Sequence, residues 1–144
     1  MNKKFVSLFG EFQRIPKGVL IDRPGELITT EFSVNTSLLR ILGVDNAKVY
    51  FTRRTLKHLS EKGSDGASLF LRIPIVLKRP DAIYGSNSTR ILVIRSTDLE
   101  KEGEFYAVVL ESANLQEIII VTSFVAKQKY LKNFEILWRT AASS

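Results

Sequence analysis

Cysteine is absent from the 144 residues, which excludes disulfides, cysteine nucleophiles, thiolate zinc sites and iron–sulfur clusters together. Histidine occurs once, as His58, so a three-histidine metal site is excluded, as is a mechanism that uses separate histidines as acid and base. Long apolar runs are missing as well. The longest wholly aliphatic stretch, Ile118-Ile119-Ile120-Val121, is far short of the roughly 20 residues that span a bilayer. The apolar N-terminus is interrupted by Gly10-Glu11 before it reaches the length of an export signal. No membrane partner and a cytoplasmic location are therefore expected. Acids are the scarcer charge, 15 against 21 Lys plus Arg, which gives +6 at pH 7 and a pI near 9.7. That balance leans towards anionic partners. No Walker loop, GxGxxG, HExxH or calcium-loop spacing occurs, so neither a cofactor nor a metal is expected. The acid-rich Asp98-Leu99-Glu100-Lys101-Glu102 reads as a solvated loop, with carboxylates that could in principle hold magnesium.

What is present suits one folded domain over residues 1–144: 44% hydrophobic and 25% charged residues are ordinary for a globular chain. Residues 1–33, broken by Pro16, Gly18, Pro24 and Gly25, read as an extension of irregular strands and turns, with the core over 34–138. From Asn35 the pattern sharpens. Asn35, Thr36 and Ser37 suit an N-cap, Leu38, Leu39, Ile41 and Leu42 form an apolar stripe, and Gly43 ends the helix. A brief strand over 47–51 follows. Thr52 is an N-cap for a second helix over 53–62, stopped by Gly63. Ser64-Asp65-Gly66 reads as a turn. The stretch 67–77 has helical content, with Pro74 expected to begin or kink a helix.

After Pro80-Asp81 the character changes to strands over 89–95, 105–110, 118–121 and 134–138. The apolar runs among them are continuous enough to be covered on both faces. The expected architecture is α+β: N-terminal helices packed on a four-stranded antiparallel meander, with a basic helical stretch over 127–132 before the last strand.

Four groups of residues have the chemistry for a site. His58 shares its helix with Arg53, Arg54 and Lys57. It reads either as a surface histidine on a basic face or as a general acid/base beside phosphate-binding cations. Thr122 and Ser123 close an aliphatic strand, where hydroxyls either bond the backbone or donate to a phosphate oxygen. Lys78, Arg79 and Arg90 flank strands, and an arginine fork matches a phosphate well. Lys127, Lys129 and Tyr130 interleave cations with an aromatic, as single-stranded nucleic-acid binders do, and as solvated helix faces also do.

The order of several phrases resembles the phage-associated barnase–EndoU–colicin–RelE-like (BECR) nucleases. They are Leu39-Arg40-Ile41-Leu42-Gly43, Val49-Tyr50-Phe51-Thr52, Thr55-Leu56-Lys57-His58-Leu59, Ile73-Pro74-Ile75-Val76-Leu77, Arg79-Pro80-Asp81-Ala82-Ile83-Tyr84 and Val121-Thr122-Ser123-Phe124. The resemblance covers roughly residues 34–138. It implies a barnase-like ribonuclease fold and a phage- or toxin-associated, metal-independent RNA endonuclease. RNA is then the substrate, and an immunity or antitoxin protein a candidate partner. By position, His58 matches the helix histidine, Thr122 or Ser123 the late hydroxyl, and Arg79 or Arg90 the basic position. Arg53, Arg54, Lys57, Lys78, Lys127, Lys129 and Tyr130 would contact RNA. One departure stands out: many relatives carry a second histidine about five residues after the first, where this chain has Gly63. Either another side chain covers that role, or a catalytically inactive RNA- or protein-binding domain remains.

Overall fold

The computed structural model describes residues 6–10, 14, 27–30, 33–45, 48–87, 89–97, 103–114 and 116–140. Its elements run β1 (Leu27–Thr30), α1 (Thr36–Leu42), β2 (Lys48–Thr52), α2 (Arg53–Glu61), α3 (Ser64–Lys78), β3 (Ala82–Asn87), β4 (Arg90–Ser96), β5 (Glu104–Asn114), β6 (Glu117–Lys127), α4 (Gln128–Leu131) and β7 (Glu135–Arg139). A short helical run precedes them at 6–10. The acid-rich turn over 98–102 and the tail over 141–144 lie outside the described residues.

The helices follow their capping chemistry. The Asn35 side chain accepts from the backbone N–H groups of Ser37 and Leu38, satisfying two of the donors that a helix start leaves open. Gly43 closes α1 in the left-handed region at φ 69°. The Thr52 hydroxyl accepts from the Thr55 N–H and starts α2 directly at the end of β2, without a loop. Gly63, at φ 61°, turns the chain between α2 and α3. Two expectations are corrected here. Ser64-Asp65-Gly66 is the first turn of α3 rather than a separate turn, and α3 runs through Pro74 to Lys78. The proline lacks only one donor, and the buried residues Leu69, Phe70, Ile73, Val76 and Leu77 around it hold the helix on the sheet.

The architecture is α+β, but the four-stranded antiparallel sheet is corrected to a seven-stranded mixed one among the described residues. Its order is β1-β2-β6-β5-β4-β3-β7. β4, β5 and β6 form the expected meander. β2 joins β6 in parallel, and every other pair is antiparallel. β7 does not follow β6 in the sheet. The chain crosses from β6 over one sheet face and pairs with β3 at the far edge. That crossing spans four strand positions, about 19 Å at ~4.8 Å each, and α4 with its flanking residues bridges it.

Both sheet faces are covered, for different reasons. On one, α1, α2 and α3 pack Leu38, Leu56, Leu59, Phe70, Ile73 and Leu77 against Phe51, Ile83, Val93, Val108, Leu110, Ile118 and Ile120. Phe70 meets Phe51 and Phe9 at ring-centroid distances of 5.2 and 5.6 Å. With Leu8 also buried, part of the N-terminal stretch belongs to this core. On the other face a smaller cluster of Ala82, Tyr84, Leu92, Ile94, Ala107, Val109 and Ala126 is covered in part by Leu131 of α4 and by Phe134. No helix among the described residues is long and apolar enough to cross a membrane.

Candidate nucleic-acid interface

β2 ends at Thr52, and its pairing with β6 reaches only Ile120. Beyond that point α2 takes over the β6 edge. The Thr55 hydroxyl is within hydrogen-bond distance of the carbonyl oxygens of Ile120 (3.0 Å) and Val121 (2.9 Å), and Lys62 Nζ donates to the Ser123 carbonyl at 3.1 Å. Backbone acceptors that a neighbouring strand would have satisfied are thus met by side chains of one helix.

This docking orients the rest of α2. At roughly 100° per residue, Leu56 and Leu59 lie to one side of Thr55 and enter the core with α3. Arg54, His58 and Lys62 lie to the other side, stacked at four-residue spacing along one flank. His58 and Arg54 are exposed, and among the described residues neither side chain has a hydrogen bond or ion pair. Lys57 sits further round the helix and pairs with Glu61 at 3.8 Å. Arg53 is half-buried at the first helical position.

Thr122 and Ser123, one residue apart, face opposite ways. Ser123 stands opposite Val108 and is buried on the helix side, at 1% exposure. Its hydroxyl donates to the Ala107 carbonyl at 3.0 Å. Thr122 stands opposite Val109 on the other face, half-buried, and its hydroxyl has no partner among the described residues. The flank of α2 that carries His58 is turned away from the buried Leu56 and Leu59.

The arginines fall elsewhere. Arg90 opens β4 opposite Glu111 and pairs with it at 3.7 Å, beside a cavity of about 640 Å³ floored by Ile41, Leu42 and Ile91. Arg79 caps the end of α3, where its carbonyl accepts from the Arg95 guanidinium at 2.6 Å. Arg90 and Arg95 are about 17 Å apart along β4 at ~3.4 Å per residue, so Arg79 and Arg90 mark opposite ends of the strands. Lys78 is exposed at the end of α3.

Lys127, Lys129 and Tyr130 lie at and just after the end of β6 and are exposed. The Tyr130 ring meets Phe124 at 5.6 Å and Phe134 at 5.0 Å, both edge-on. It therefore continues the aromatic surface of the Thr122 face rather than packing inward. Among the described residues no three His, Cys, Asp or Glu side chains gather as a metal site requires.

Of the predicted catalytic set, then, His58 is exposed on α2 and Thr122 is half-buried on the sheet face opposite the helices. Ser123 is committed to the core, Arg79 lies at the Arg95 end of the strands, and Arg90, two strands and two residues from Thr122 on the same face, is paired with Glu111. Lys62 is the contributor that the residue types alone did not single out, although its spacing of four from His58 was visible. Comparison with family models, with curated proteins and with solved structures finds no match to this chain.

Proposed function

We propose that this chain is a metal-independent RNA endonuclease that cleaves by transesterification, of the phage- or toxin-associated kind its sequence resembles. The observation that carries this reading is His58. It is an exposed imidazole whose side chain has no protein partner among the described residues, set between Arg54 and Lys62 on the flank of α2 away from the buried Leu56 and Leu59. In this mechanism His58 takes the proton of a ribose 2′-hydroxyl, whose oxygen attacks the adjacent phosphorus. The bond to the 5′ oxygen breaks, leaving a 2′,3′-cyclic phosphate and a 5′-hydroxyl whose proton comes from solvent. Arg54 and Lys62 offset charge growing on the phosphate oxygens, and the Thr122 hydroxyl donates to one of them.

This reading moves the basic role from Arg79 and Arg90 to cations on the helix of the base itself. It also explains how one histidine suffices: the leaving oxygen relies on solvent, at some cost in rate. The test is incubation of the whole chain with single-stranded RNA. Cleavage is expected to persist in EDTA, to vanish on 2′-deoxy substrate, and to fall about 10²–10⁴-fold in His58→Ala, the usual yield of one general base. Cleavage of DNA that depends on added metal would overturn the proposal.

A second reading has its own support. Ser123 and Arg90 are engaged elsewhere, and no second histidine exists. A catalytically inactive RNA-binding domain would bind RNA with strong salt sensitivity and cleave at no pH.

A further inference from the structure

The face that bears Thr122 also holds a cavity of about 580 Å³ between the ends of β3, β4 and β5, α4 and β7. Its volume lies in the range of small-ligand sites. Phe105 and Phe134, both half-buried, contribute aromatic walls. Lys132 and Arg139 are exposed at its rim, and among the described residues neither side chain has an ion pair or a hydrogen bond. Tyr84 also lines it. That side chain is only 7% exposed, and its hydroxyl has no partner among the described residues, although a buried phenol normally finds one. The acid on the lining, Asp81, is held in place by Ser96, whose N–H and O–H donate to Oδ2 at 2.7 and 2.8 Å.

Aromatic walls call for a flat, polarisable ring, because stacking is worth most against such a partner. Two cations without counterions call for an anion attached to that ring. An unused buried hydroxyl calls for one further polar group within the cavity. We propose that this cavity binds a nucleotide, with the base among Phe105, Phe134 and Tyr84 and the phosphate held by Lys132 and Arg139. The exposed Tyr130, edge-on to Phe134 at 5.0 Å, extends the aromatic surface from the cavity towards Phe124 and Thr122. The pocket stands on its own lining. It rests on the endonuclease reading only for the source of its ligand, a nucleotide of an RNA strand rather than a free one.

The test is an NMR titration of the full chain with AMP, GMP, CMP and UMP, with inorganic phosphate, and with single-stranded RNA and DNA hexamers. Nucleotides are expected to shift the amides of Tyr84, Phe105 and residues 131–134 saturably. Lys132→Ala and Arg139→Ala should each weaken binding about tenfold, the scale of a charge-assisted hydrogen bond. Tyr84→Phe, which keeps the ring, should weaken it several-fold, and Arg40→Ala on α1 should leave it unchanged. A hexamer that competes at least tenfold more tightly than a mononucleotide identifies a strand as the ligand; equal affinity identifies a free nucleotide. The proposal is overturned if no saturable shifts appear, if inorganic phosphate binds as tightly at the same amides, or if neither cation matters. Nucleotide binding without cleavage would retain this pocket and remove the endonuclease, whereas cleavage without binding here would do the reverse.

Discussion

A methyl group on Gly66 would stand 1.7 Å from the Leu59 carbonyl oxygen and 2.7 Å from its carbon, both in the backbone of α2. Nothing flexible lies there to yield, so Gly66 is what lets α3 start against the end of α2. Gly66→Ala should destabilise the fold by about 2–3 kcal/mol, the upper part of the overpacking range, as read from urea midpoints. Neighbouring hydroxyls on β6 separate stability from chemistry in the same way. Ser123→Ala loses a buried hydrogen bond and should cost about 1 kcal/mol, with cleavage per folded molecule unchanged. Thr122→Val keeps the shape of an unpartnered side chain, so its melting temperature should hold. If Thr122 donates to a phosphate oxygen, cleavage should fall about 10²-fold. The opposite pattern, with Ser123 mattering to rate and Thr122 not, would place the chemistry on the other face.

At the scale of elements, the join between α2 and the β6 edge is the decisive one. Thr55→Val removes the hydroxyl that meets two carbonyls and should cost about 1–3 kcal/mol, since those acceptors are left in a buried setting. It should also lower cleavage in the molecules that remain folded, because the flank carrying His58 is oriented by that contact. A rate loss no larger than the loss of folded protein would separate α2 docking from catalysis. Much of this was legible. Asn35, Gly43 and Thr52 announce α1 and α2 through local capping, and 105–110 and 118–121 announce β5 and β6 through continuous apolarity. Pro74 misled because tertiary packing on both sides of it outweighs one missing donor. β3 went unread because Arg79-Pro80-Asp81-Ala82-Ile83-Tyr84 carries its strand character in only a few residues. β7 was visible as a strand, yet its partner was not, since pairing with β3 across the sheet depends on no local feature. The site divides likewise: His58 and Thr122 stand out by type, whereas Tyr84, Phe105, Lys132 and Arg139 come from separate elements that only the sheet brings together.

Taken whole, the molecule is a sheet with unequal faces. One is sealed by α1, α2 and α3 over a large apolar core. The other keeps a smaller cluster, and along it run Thr122, the aromatic series Phe124, Tyr130 and Phe134, and the cavity rimmed by Lys132 and Arg139. The excess of six positive charges favours approach of a polyanion to the molecule. RNA binding should therefore weaken steeply with salt, at about 0.7 log units per log unit of salt for each phosphate neutralised on a single strand. The central claim is that His58 on the flank of α2 performs base chemistry on RNA. The most direct measurement is cleavage of one RNA strand and its 2′-deoxy counterpart by the purified whole chain and by His58→Ala, each with EDTA. The account predicts RNA cleavage by the unmutated chain alone, leaving 2′,3′-cyclic phosphate ends, and intact DNA throughout. Equal cleavage by the His58→Ala protein, or none by either protein while both still bind RNA, would contradict it.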